Sequence, residues 1–93
     1  MTINEFQILA TDITPTHFIY YQGHKNHLPL SFTKTSQSVV LTAATPGNPT
    51  ITLGEFLFSL QPLPPSWPIN LAIFGEQRPL FGFRIADQKM LLR

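Results

Sequence analysis

The sequence predicts an α+β fold built from two αβββ repeats. Three observations predict it. Thr2-Ile3-Asn4-Glu5-Phe6 and Thr52-Leu53-Gly54-Glu55-Phe56 share the pattern Thr-x-x-Glu-Phe, about fifty residues apart. The same order of signals follows each copy: a proline-marked break, an apolar run, a glycine turn, a second apolar run, a polar turn and a short aliphatic run. Finally, Ala44 to Thr50 has the chemistry of a stiff linker, with two prolines and a glycine. The expected organisation is a single domain, 1–93, with repeat one at 1–43, a linker at 44–50 and repeat two at 51–93. A lone unit of about 43 residues rarely buries enough surface to fold. The repeats are therefore expected to share one core, as a two-layer domain with pseudo-two-fold symmetry. Each would be a helix followed by a three-stranded antiparallel meander.

The helices come first. Thr2 and Thr52 suit the N-cap, where the hydroxyl accepts a backbone N–H of the first turn. Glu5 and Glu55 fall three residues on and can reach back to the cap N–H, which makes a capping box. Met1 and Ile51 before the caps, with Phe6 and Phe56 at N4, add a hydrophobic staple to each. Ile3, Phe6, Leu9, Ala10 and Ile13 share one face of the first helix. Leu53, Phe56, Leu57 and Leu60 do so in the second. Pro15 and Pro62 mark the ends, because the residue before proline avoids helical geometry.

Strands follow. Ile69-Asn70-Leu71-Ala72-Ile73 alternates like a half-buried strand, and His17 to Gln22 is its counterpart. Gly23 and Gly75 supply the next turns. Leu28, Leu30 and Phe32 alternate in repeat one; Phe81, Phe83 and Ile85 do so in repeat two. Val39-Val40-Leu41 and Met90-Leu91-Leu92 close the units. Connections this short favour antiparallel neighbours.

Composition bounds the function. Charged residues make up 12% of the chain, about half the usual share. Ten Thr, six Gln, five Ser and four Asn stand in their place. So little surface charge gives weak defence against association, which favours a homo-oligomer, with a dimer preferred, or a protein partner. The net charge is +1 and the cations are scattered, so nucleic acid and anionic membranes attract the chain weakly. There is no cysteine, hence no disulfide and no thiolate metal site. Glu5 and Asp12 break the opening residues, unlike a signal peptide, and the expected location is the cytoplasm.

The residues that could carry chemistry are few. His17, His24 and His27 all lie in repeat one. His24 and His27 sit in a turn and are the only candidate metal ligands, weakened by Lys25 beside them. Of the five acids, Glu5 and Glu55 belong to capping boxes, and Asp12, Glu76 and Asp87 fall near ends or turns. No pair is placed for acid–base work, no phosphate loop or nucleophile elbow occurs, and no cofactor is implied. Pro62 to Pro68 contains P-x-x-P but lacks a basic neighbour, which favours a rigid connection.

One asymmetry stands out. With Phe18 and Tyr20 matched to the inward set of the other repeat, Ile19 and Tyr21 fall on the second face of their strand. An apolar second face is a covered face. The cover is the other half of the chain, another chain or a directly stacked ligand, so Ile19 and Tyr21 form the candidate interaction surface. The leading expectation is a non-enzymatic protein-interaction or self-associating module. The alternatives are a small-molecule binder or minor enzyme using a cleft between the repeats, which would need an apolar pocket, and a weak nucleic-acid binder.

Overall fold

The computed structural model describes Met1–Arg93 throughout. Strand takes up 43% of the chain and helix 16%, so the protein is mostly sheet. The elements run α1 (Ile3–Leu9), β1 (Phe18–Gln22), β2 (His27–Lys34), β3 (Val39–Ala43), α2 (Leu53–Leu60), β4 (Ile69–Ile73), β5 (Glu76–Pro79), β6 (Phe83–Ala86) and β7 (Lys89–Leu92). The second half thus has four strands where three were expected. All seven join one sheet, in the order β5-β4-β3-β2-β1-β7-β6. The expected tandem αβββ repeats in two layers are not formed. The sheet is mixed and curls into a half-barrel.

Two parallel pairings explain the difference. β1, β2 and β3 form the antiparallel meander that short turns dictate. Between β3 and β4, however, the chain runs through α2, and a crossover of that length brings the next strand in parallel. Val39 accordingly lies opposite Ile69, and Thr42 opposite Ala72. β1 runs parallel to β7 in the same manner, Phe18 opposite Lys89 and Tyr21 opposite Leu92. The two halves meet along these parallel seams inside one sheet.

The helix starts form as the sequence predicts. Glu5 N–H donates to Thr2 Oγ1 at 3.2 Å, and Thr2 N–H donates to Glu5 Oε1 at 2.8 Å. The Thr52–Glu55 pair repeats this at 3.1 and 2.9 Å. The first helical N–H groups have no partner within a helix, and here they find one across the molecule. Ile3 and Asn4 donate to the carbonyls of Trp67 and Pro65; Leu53 and Gly54 donate to those of His17 and Pro15. Each helix start is therefore fastened to the segment that precedes a strand of the other half. That gives the proline-rich stretch a structural role, with Trp67 partly buried against the core.

The helices bring their phenylalanines together. Phe6 and Phe56 meet edge to face, with ring centroids 5.3 Å apart. Phe83 lies against Phe6 at 5.6 Å, and Phe32 against Phe56 at 5.4 Å. Each such pair adds about 0.5–1.5 kcal/mol beyond the area it buries. Leu30, Leu41, Ile69 and Leu71 complete the apolar interior on the sheet side.

The register of β1 differs from expectation by one residue. Ile19, not Phe18, points into the core with Ile69; both are fully buried, whereas Phe18 is exposed. A one-residue slip moves every side chain to the opposite face. The expectation pairs Phe18 with Ile69, an interval of 51, whereas the capping boxes repeat at 50, the interval that pairs Ile19 with Ile69. The first turn, Gly23–Asn26, is two residues longer than the Phe74–Gly75 turn, so the glycines do not correspond. No helix is long and apolar enough to cross a membrane.

Candidate interaction surface

Tyr21 lies on the inner face of β1, two residues beyond the buried Ile19, and pairs with Leu28 of β2. Arg78 lies opposite the buried Leu71, which puts it on the inner face of β5. Three strands separate β1 from β5 in the sheet. Yet Arg78 Nη2 donates to Tyr21 Oη at 3.4 Å. The curl of the sheet makes that contact possible, and it places both residues at one open end of the half-barrel.

Two exposed rings complete the group. The Arg78 guanidinium carbon stands 5.9 Å from the Tyr21 ring centre and 5.3 Å from that of Phe81. Phe74 packs edge to face on Tyr21 with centroids 6.5 Å apart. Phe74 is 85% exposed and Phe81 is 70% exposed. Tyr21 and Arg78 are half-buried beneath them.

Phe74 is also unusual in its backbone. It and Gly75 form the two-residue turn between β4 and β5, with φ of 54° and 80°. Such turns need positive φ at both positions and favour Asn or Asp before Gly. A left-handed residue other than glycine costs about 1–2 kcal/mol. Here that conformation projects a large apolar ring into solvent.

The first half has nothing similar. Its helix and first strand match the second half at an interval of fifty, so Tyr21, Phe74 and Arg78 correspond to Leu71, His24 and Leu28. Near Phe81 the correspondence breaks, because Phe81-Gly82 replaces the single Ser31. Residues 80–82 separate β5 from β6, whereas β2 runs through unbroken. Ser31 is buried, and its hydroxyl donates to Asn48 Oδ1 at 2.8 Å. The linker thus covers Ser31, while Phe81 in the equivalent place is bare.

The sequence-derived candidates are placed as follows. Ile19 is fully buried in the chain's own core and presents no surface. Tyr21 is the foot of the aromatic group. His24 lies in the turn and His27 at the start of β2, both exposed. No three His, Cys, Asp or Glu side chains gather to hold a metal ion. The expected core face Phe81, Phe83 and Ile85 is split: only Phe83 packs inward, and Ile85 is 39% exposed. Phe74, Arg78 and Phe81 were missed as a group. A phenylalanine where Asn-Gly chemistry belongs was the one available signal.

Elsewhere the surface offers less. One open depression of about 410 Å³ is lined by Thr2, Asn4, Pro65 and Ser66, with no acid or base. On the outer face, Lys89 Nζ stands 4.8 Å from the Tyr20 ring centre, and Arg84 Nε donates to Gln22 at 3.2 Å. Glu5 has its carboxyl held below the usual range, first by the Thr2 backbone N–H and then by the Thr2 hydroxyl.

The fold and this surface define a small, sheet-rich domain with an aromatic patch around one arginine. The chain matches no protein family, no curated protein and no solved structure at a significant level.

Proposed function

We propose that the chain is a non-enzymatic interaction module that binds another protein through Phe74, Phe81, Tyr21 and Arg78. The observation that carries the reading is Phe74, an aromatic ring 85% exposed on a backbone of positive φ. Folding alone favours neither feature. Aromatic residues and arginine are the side chains most enriched where proteins meet. The low charge of the remaining surface supports the same reading. A cytoplasmic setting belongs to the proposal, and fractionation of the tagged chain tests it.

The alternatives have less behind them. A cleft enzyme or small-molecule site wants an enclosed apolar pocket with converging polar groups, and the depression by Ser66 is open and carries no acid or base. A nucleic-acid interface wants a track of cations, and Lys89 and Arg84 are each already turned onto a neighbour.

The test compares Phe74→Ser with Phe81→Ser, as a double variant, against Ile8→Ser with Phe58→Ser as a control on other exposed apolar residues. Each tagged chain is used to recover bound protein from the cells that make it. A partner, or a second copy seen as a dimer by light scattering, should be lost with the first variant and kept with the second. Binding that survives the first variant, or a chain that retains nothing, counts against the proposal.

A further inference from the structure

The geometry points to the chemistry of the partner. We infer that the patch takes an acidic protein segment, in which one Asp or Glu beside apolar residues meets the Arg78 guanidinium. The inference rests on reading the patch as an interaction surface.

The guanidinium is the core of the argument. It carries five N–H donors in a planar fork that matches a carboxylate. In the free protein its partners are a phenol and two rings, none of them an acid. Phe81 stands beside it and Phe74 packs on Tyr21 next to it, and a partner seated on these rings would exclude water from the contact, which strengthens a charged hydrogen bond.

Charge decides between occupants. A second copy docked symmetrically would bring the same patch, and so the same cation, to both sides of the interface. The chain also has few acids to offer in return: of five, Glu5 and Glu55 are engaged in their capping boxes. A nucleic acid would need several cations, and the patch has one, with the exposed Glu76 close by in the same short strand. A protein segment needs only one carboxylate at the guanidinium and offers apolar residues to the exposed rings, so Glu76 weighs less against it than against a polyanion. The first half shows how an extended segment can lie in such a place. There Asn48 of the linker covers Ser31, and Ala44 N–H donates to Pro29 O at 2.9 Å.

The test uses the whole chain and a displayed library of random heptapeptides. It is selected separately on the natural chain, on Arg78→Met, on Arg78→Lys and on the Phe74→Ser, Phe81→Ser double variant, each first shown folded by its amide NMR spectrum. Peptides selected on the natural chain should be enriched in Asp or Glu next to apolar residues. Synthetic copies should bind Arg78→Met about tenfold more weakly, and Arg78→Lys at an intermediate level because lysine keeps the charge and loses the fork. The double variant should select none of them. Peptides that depend on Phe74 and Phe81 but show no acidic excess would overturn the carboxylate assignment and leave the interaction surface standing. An acidic excess that persists on Arg78→Met overturns it too. A basic or purely apolar consensus has the same effect, and so does a Phe74-dependent dimer of the chain itself. A selection that yields no patch-dependent peptide sinks both readings.

Discussion

The two halves of this molecule begin alike and end differently. Both start with a threonine-capped helix, and both helices fasten to the opposite half through the same two backbone hydrogen bonds. They part at the second turn and at the strand that follows. The first half makes a four-residue turn and a continuous β2, covered at Ser31 by its own linker. The second makes a two-residue turn led by Phe74, then interrupts its strand over residues 80–82 and leaves Phe81 bare. Where the halves agree, hydrogen bonding and burial account for the residues. Where they differ, the second half keeps an exposed aromatic group that the core does not use.

The largest expected effects lie in the shared part. Phe6→Ala or Phe56→Ala should each cost about 3–5 kcal/mol, since both rings are fully buried against one another. Urea unfolding checks this. The two values should be similar, and a large inequality would break the comparison between the helices.

Cap removal is a finer probe. Thr2→Ala and Thr52→Ala should each cost about 1 kcal/mol. Equal losses would sharpen the view that both helix starts are built for the same structural task. If one loss were absent, that cap would not be holding its helix.

Phe74→Asn should have the opposite sign. Asparagine tolerates positive φ in this turn, so stability should be unchanged or rise by up to about 1 kcal/mol. A loss above that range would mean Phe74 is held for the fold. The control is His24→Asn in the first half, whose side chain is exposed in the longer turn, with an expected change within about 0.5 kcal/mol.

The smallest effect is electrostatic. The folded Glu5 carboxyl has its pKa lowered by Thr2. Its contribution is therefore present above the unfolded carboxylate pKa and fades as pH falls through the lower folded value. The difference in stability between the natural chain and Glu5→Gln should shrink across that acid window. A difference that stays constant with pH would show that Glu5 does not act through its charge.

These contrasts also explain what the sequence could reveal. The capping boxes were legible because they are local: four residues state both the cap and its partner. Most strands were legible by alternation, and the antiparallel pairing inside the first half followed from short turns. The parallel seams were not, because nothing in Val39 or Ile69 records which strand lies beside it. That depends on how α2 packs. The β1 register fails because Phe18 is matched to Ile69 at an interval of 51, where the capping boxes repeat at 50, and that odd shift turns Ile19 outward. Tyr21 was singled out from that misplaced register, yet it does lie beneath the exposed rings. Its partners were hidden by the same cause as the seams: Arg78 reaches Tyr21 only because the sheet curls. Phe81 alternates with Phe83 and so reads as core, and the break over residues 80–82 has no signature in alternation.

Site-specific photo-crosslinking tests the central contrast most directly. A benzoylphenylalanine replaces Phe74 in one version of the chain and Phe58 in another, both positions being strongly exposed. After irradiation in the cells that make the protein, position 74 should give a discrete protein adduct that disappears with Arg78→Met, and position 58 should give none. Equal crosslinking from both positions, or an adduct from position 58 alone, would contradict the assignment of function to the divergent turn of the second half.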